Sequence, residues 1–353
     1  MRRQISILLL ALGVGVASAQ ETKTTIERTG EVQLTERTVP VSGLVSKEMQ
    51  ESLAAVLPPS YESLQTFPQT NEEWEAFIES KDKVTAENAL ALAEMLSITI
   101  EKKEIKGTVV RYVTPSEIAD KYVNSYFIHI HGGAYILNGG DASTVEAIFL
   151  ANRLQIPVIS IDYRMPPRHP FPAGLNDAVA AYKGILEKYP SHTLFLGGTS
   201  AGGNLTMGTT LKLIEEGIDL PKALFLGTPG ATFDKVGDSF YTNEGLDRLL
   251  GTWDGLITAS LKLYANGVAF DDPYIAPINA DLTGFPPSIL VTGTRDLLLS
   301  PTVVTHRKLR DAGVFADLVV IEGQSHGDYM FVVNSPESIG VFNDLDKFLT
   351  QYL

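Results

Sequence analysis

A serine, an aspartate and a histidine, each lying just beyond a short apolar run, are the residues of this chain that could share one chemistry. Ser200 sits in Gly198-Thr199-Ser200-Ala201-Gly202, between the apolar run Leu194-Phe195-Leu196 and a helical stretch opening at Gly203. Strand, glycine turn and helix is the context in which G-x-S-x-G forces a serine into an exposed, strained backbone position. A serine hydroxyl is a weak nucleophile, so it needs a base for its proton and donors for the oxyanion that its attack creates. Gly323-Gln324-Ser325-His326-Gly327 matches the same pattern. Chain order separates the two, because the nucleophile precedes the acid and the acid precedes the histidine. No histidine lies beyond His326, so Ser200 alone can head that order.

Asp296 follows the apolar run 289–292 through Gly293-Thr294-Arg295, and His326 follows the run 318–321. Groups beyond the carboxyl ends of parallel strands converge on one rim of an open sheet. Ser200, Asp296 and His326 can therefore meet although they are far apart in the chain. His326 would take the serine proton and return it to the leaving group, while Asp296 would fix the imidazole tautomer. Asp272 and Asp281 precede the strand, Asp328 follows the histidine, and Glu322 would act from the wrong strand. His129, His169, His192 and His306 lie within a strand, among prolines, before a strand and on a helix, and are weaker bases by position. The oxyanion donors are expected at His131-Gly132-Gly133-Ala134, after the run 126–130. Paired glycines let the N–H groups of Gly132 and Gly133 turn toward the reacting oxygen, with Ala201 N–H joining them. His131 is expected to hold that turn by hydrogen bonding.

The elements that must position these groups read as strands alternating with helices. Residues 98–105 and 108–113 predict a polar-edged hairpin. Strands are then predicted at 126–130, 158–161, 193–196, 223–226, 289–292 and 318–321, all short, apolar and β-branched or aromatic. Helices are predicted near 144–155, 174–188, 203–216, 302–312 and 337–352. This alternation implies a mostly parallel sheet covered on both faces. Two helices are predicted after Pro58-Pro59. The first starts at a Thr70/Glu73 capping box and carries Trp74, Phe77 and Ile78; the second spans about 85–96. Trp74 and Phe77 read as core, with a substrate pocket as the alternative. Residues 233–267 hold an apolar series dense enough for one or two helices that would cover the sheet or join a lid.

The first nineteen residues read as a secretory signal peptide: Arg2 and Arg3, an apolar stretch of about 12 residues, then Ala17-Ser18-Ala19. That stretch is too short to span a bilayer, so export is expected, with no integral span after cleavage. Residues 20–97 would form a tail and cap helices, and 98–353 the catalytic domain. With 44% hydrophobic and 20% charged residues, the chain has an ordinary globular composition. It contains no cysteine, which excludes disulfides and thiolate metal sites. A formal charge of −14 argues against nucleic acid or an anionic membrane as partner. No metal and no organic cofactor is expected, since nucleophile, base and donors are already supplied.

From about residue 98 to the C-terminus the chain resembles the hormone-sensitive-lipase-like branch of the α/β-hydrolases, carboxylesterases and lipases. The resemblance rests on the H-G-G turn at 131–133, Asp162-Tyr163-Arg164-Met165-Pro166, His169-Pro170-Phe171-Pro172-Ala173, the serine elbow, and the acid and histidine loops. It implies an α/β-hydrolase fold with a mostly parallel eight-stranded sheet and a helical cap. By the same resemblance, short- to medium-chain esters are the substrates and a homodimer formed through the sheet edge is open to the chain. Thr199 stands where the family often has Asp, which resembles a G-T-S-A-G subset, and Ala134 and Arg168 also depart from the commonest pattern. Lactone or amide cleavage would use the same triad. A non-catalytic ligand binder on this scaffold is a further alternative, against which His326 stands.

Overall fold

The computed structural model describes residues 38–353 together with two short strands, 25–26 and 32–33, which pair antiparallel. The expected signal peptide lies outside the described residues. Residues 41–353 form one compact unit, which holds the whole eight-stranded sheet.

Eight strands form one sheet. In chain order they are β1 Thr99–Ile105, β2 Thr108–Thr114, β3 Ser125–Ile130, β4 Val158–Asp162, β5 Thr193–Thr199, β6 Leu224–Gly227, β7 Ser288–Gly293 and β8 Ala316–Ile321. Across the sheet they run β1-β2-β4-β3-β5-β6-β7-β8. The β1–β2 and β2–β4 pairs are antiparallel and the remainder are parallel. The strand order reverses around β3, whose C-terminal end adjoins that of β5. The expected sheet is therefore present, with the serine, acid and histidine loops at the carboxyl ends of β5, β7 and β8.

The helices are α1 Lys47–Ala55, α2 Tyr61–Leu64, α3 Asn71–Met95, α4 Val145–Leu154, α5 Ala173–Lys188, α6 Ala201–Glu215, α7 Ser239–Thr242, α8 Leu256–Ala265, α9 Leu299–Asp311 and α10 Pro336–Thr350. Strand periodicity divides the core between the two faces of the sheet. Ile128, Leu196 and Leu226 pack with Leu205 of α6 and Tyr182 of α5. Their neighbours Phe127, Phe195 and Phe225 point the other way, toward Ile148 of α4 and Phe342 and Phe348 of α10. The inner strands are almost wholly buried, whereas β1 at the sheet edge shows mostly exposed residues.

Two expectations near the N-terminus need correction. The two helices predicted over 70–96 are one, α3, which begins at the Thr70/Glu73 capping box. The stretch Lys81-Asp82-Lys83-Val84 interrupts the apolar pattern but holds no glycine or proline, so nothing breaks the backbone bonds. The short α1 was not predicted; Ser46 caps it, and it buries only Met49 and Leu53. Among the described residues no helix is long and apolar enough to cross a membrane.

Phe195 is completely buried in the middle of the sheet. Phe195→Ala is expected to cost about 3–5 kcal/mol of stability, read as a lowered urea midpoint.

Candidate active site

The backbone at Ser200 sits at φ 63° and ψ −122°, a conformation that non-glycine residues adopt only under constraint. The flanking residues supply that constraint. A Cβ on Gly198 or on Gly202 would collide with the carbonyl oxygen of Ile130 at the end of β3. The turn can therefore sit against β3 only with glycine at both positions. Ser200 N–H donates to Gly227 O at 2.8 Å, and Ser200 O accepts from Asn204 N at 3.1 Å and Gly230 N at 3.0 Å. Ala201 is the first residue of α6, where the N–H has no partner within the helix and the helix dipole is positive.

The turn after β3 lies directly over the elbow: a Cβ on Gly132 would be 2.7 Å from Thr199 O and 3.3 Å from Ser200 Cβ. The Gly132 carbonyl accepts from His131 Nδ1 at 2.8 Å and from Asn138 Nδ2 at 3.2 Å. Fixing that carbonyl fixes the plane of its peptide, and so the direction of Gly133 N–H on the opposite side. His131 is stacked on Tyr163 with ring centroids 4.1 Å apart, and burial pushes its imidazole down to about 4. It is thus a neutral donor to the carbonyl of that turn.

His326 Nδ1 lies 3.2 Å from Asp296 Oδ1. Asp296 is fully buried and accepts further hydrogen bonds from Thr228 Oγ1, from Thr292 Oγ1 at 2.9 Å and from Leu298 N at 2.8 Å. With Nδ1–H donating to this carboxylate, the other ring nitrogen is left as the acceptor. Burial alone would push the His326 imidazole down. The carboxylate of Asp296, with Asp247 and Asp328 adding to it, more than offsets this and holds the ring above its ordinary value.

Ser200, His326, Gly132, Gly133 and Ala201 all line one cavity of about 450 Å³, a size typical of small-ligand sites. His131 lines it as well, so the structure brings six of the seven expected residues to a shared space, with Asp296 immediately behind His326. Phe233, Leu249, Leu250, Trp253, Leu256 and Ile257 give the same cavity an apolar wall. Residues 233–267 therefore shape the cavity, while from α3 Thr85 lines it and Trp74 and Phe77 do not.

Several residues that matter here were not legible as site residues. Asn243 Nδ2 donates to the Asp296 carbonyl at 2.8 Å and the Thr294 carbonyl at 3.2 Å. Asp247 accepts from Leu297 N at 3.0 Å, beside Asp296, and from Leu249 N and Leu250 N in the cavity wall at 2.9 and 3.1 Å. Burial, then repulsion by Asp296, pushes the Asp247 carboxyl up to about 6. Arg248 N donates to Ser325 Oγ at 3.1 Å, and its guanidinium grips Asp328. The second G-x-S-x-G serine is thus a structural acceptor, and residues 243–250 fasten the acid and histidine loops together. The single signal for this in the sequence was a carboxylate at 247 inside an apolar series. Of the remaining histidines, His129 is buried against Glu146 and Ser160, and His306 Nε2 contacts Ala316 O. Among the described residues no group of acids and histidines could hold a metal ion.

This sheet, with a strained serine after β5 and an acid–histidine pair after β7 and β8, defines a hydrolase class of known descent. A family model described as the α/β-hydrolase fold matches residues 127–330. The crystal structure of an esterase called E25 is 46% identical, superposes with a TM-score of 0.88, and is similar over 91% of this chain and 98% of that one. An esterase from the bacterial hormone-sensitive lipase family is 27% identical with a TM-score of 0.73, over 87% of this chain and 98% of that one. An esterase of Acinetobacter venetianus is 29% identical over 226 residues, 63% of this chain and 73% of its own length. The chain belongs to the α/β-hydrolase fold family, and within it to the hormone-sensitive-lipase-like esterases.

A base ringed by carboxylates should lose activity as it gains a proton. The acid limb of kcat/KM is expected to lie above about pH 6.5, the unperturbed imidazole value. Asp247→Asn removes one of the charges that raise the ring and should move that limb to lower pH, measured as a profile from acid to alkaline buffer.

Proposed function

We propose that this protein hydrolyses short- to medium-chain carboxylic esters through an acyl-enzyme on Ser200, with His326 as base and Asp296 as its orienting acid. The observation that carries this reading is the convergence of a strained serine and a carboxylate-bonded histidine on one cavity with an apolar wall. Ser200 Oγ attacks the ester carbonyl carbon as its proton passes to His326 Nε2. The oxyanion is received by the N–H groups of Gly132, Gly133 and Ala201. His326 then delivers the proton to the alkoxide as the C–O bond breaks, and the alcohol leaves. Water enters, gives its proton to the same nitrogen and attacks the acyl carbon, and the acid is released with Ser200 restored.

The apolar wall supports an acyl or alcohol chain of limited length, held by the hydrophobic effect rather than by charge. All the groups invoked are supplied by the chain, so the reaction as written draws on no metal or organic cofactor. The Ala17-Ser18-Ala19 site after an apolar stretch supports export of the mature protein.

Ser200→Ala and His326→Ala are each expected to lower kcat by about 10⁴-fold or more, with secondary structure unchanged by circular dichroism. Retention of most ester hydrolysis by Ser200→Ala would sink the assignment. Across p-nitrophenyl esters from acetate to palmitate, kcat/KM should peak among the short and medium chains and fall for the longest. A lactone and an aminoacyl amide run beside them should turn over more slowly.

A further inference from the structure

Beneath the nucleophile runs a chain of buried polar groups that the reaction described above does not use. Thr199 is the last residue of β5 and directly precedes the strained Ser200. Its N–H donates to Glu146 Oε2 at 3.2 Å and its hydroxyl donates to Glu146 Oε1. Because that hydroxyl has one proton, its contact with Tyr329 must be one in which the phenol donates. Burial, then the charge of Glu146, holds the Tyr329 phenol well above its ordinary value, which keeps it a donor. Glu146 Oε2 also meets His129 Nε2 at 2.9 Å, and His129 Nδ1 lies 2.9 Å from Ser160 Oγ, whose hydroxyl reaches Ser143 O at 2.9 Å. Thr199, Glu146, His129, Ser160 and Tyr329 are all buried.

These groups come from each part of the site. Tyr329 lies three residues beyond His326, and His129 two residues before His131 in the strand that leads to the oxyanion turn. A Cβ on Gly227 would collide with both the Tyr329 and Thr199 hydroxyl oxygens, so the contact between them crosses β6 at a glycine. A carboxylate that binds one residue by both N–H and hydroxyl fixes that residue's side-chain rotamer and its backbone together. The next peptide is the one whose N–H belongs to Ser200.

We propose that Glu146 is a positioning residue for the nucleophile: by holding Thr199 through two hydrogen bonds it sets the backbone of Ser200, and it is the reason position 199 carries a neutral hydroxyl donor. The proposal rests on Ser200 being the nucleophile. A carboxylate at 199 would face the carboxylate of Glu146 with no added cation, in a space closed to water. The like charges would separate by moving the strand end, and with it the serine. A carboxamide at 146 would instead donate to that new carboxylate and restore the tie.

The test uses the whole chain with Thr199→Ser, Thr199→Val, Thr199→Asp, Glu146→Gln and the Thr199→Asp/Glu146→Gln pair. The readouts are the rate constant for labelling by a fluorophosphonate and kcat and KM on p-nitrophenyl butyrate. Thr199→Asp is expected to lower the labelling rate and kcat by about 30-fold or more with KM changed less than about twofold. Adding Glu146→Gln should recover about tenfold of that loss, although Glu146→Gln alone is slower than wild type. Thr199→Ser should stay within about threefold of wild type, and Thr199→Val, the same size without the hydroxyl, should lose kcat and keep KM. Should Thr199→Asp fail to fold, the Ser and Val pair carries the same test. Thr199→Val at wild-type kcat, Thr199→Asp labelled as fast as wild type, or purely multiplicative effects in the double variant would overturn the proposal. Failure of the wild-type protein to label would overturn the serine assignment itself, and this proposal with it.

Discussion

The constraint on which the rest of the site depends is the backbone of Ser200, held at a positive φ that costs on the order of 1–3 kcal/mol. Adjacent strands lie about 4.8 Å apart, which leaves no room for a side chain where the turn out of β5 folds back over the end of β3. Gly198 and Gly202 are both pressed onto the Ile130 carbonyl for this reason. The strain is then spread over local hydrogen bonds to Gly227, Asn204 and Gly230, and over Asn204 Nδ2, which donates to Gly230 O and Ile275 O at 2.7 Å each. A strand packed on both faces cannot relax to relieve the turn, so the hydroxyl stays presented at the rim.

Around this fixed point the electrostatics work through opposed terms. Taking His326 out of water disfavours its charged form, and three carboxylates favour it. Asp296 does not bear its charge alone, since two hydroxyls and a backbone N–H donate to it besides the imidazole. Asp247 is less well provided: its bonds are to three backbone N–H groups, and its proximity to Asp296 raises it. Its bonds also join the acid loop to the cavity wall, so it influences the site in two ways, by charge and by tethering.

What the sequence made legible follows from local pattern. Strands covered on both faces write themselves as short apolar runs, and the groups at their carboxyl ends could be ordered along the chain, which placed Ser200, Asp296 and His326 on one rim and set Ser325 aside. The glycine turn that lies over Ser200 was legible because paired glycines are costly and rarely idle. Groups that act across long separations were not legible. Thr228 meets Asp296 from 68 residues away, Asp247 reaches Leu297 across 50, and Glu146 reaches Thr199 across 53. Nothing in the local pattern of Thr228 or Glu146 announces such a partner, and Asp247 showed only as a carboxylate inside an apolar series. The split of α3 failed for the opposite reason: two apolar stretches on either side of the polar run 81–84 belong to one helix, because a helix resting on the domain with one face in water needs no apolar residue at every turn.

The same α3 shows that the outer helices do more than enclose the cavity. Asp82 accepts Asn138 N at 2.7 Å and Gly139 N at 2.9 Å, and Asn138 in turn holds the Gly132 carbonyl. Gly140 N, next along, donates to Asp162 Oδ1 at 3.0 Å, and Arg111 pairs with both Asp162 and Asp141. The turn at 131–133 is thus braced from outside by a helix that contributes only Thr85 to the cavity wall. Burial raises the Asp82 carboxyl, and the two backbone donors oppose that rise. The brace is therefore strongest when the carboxyl is ionised.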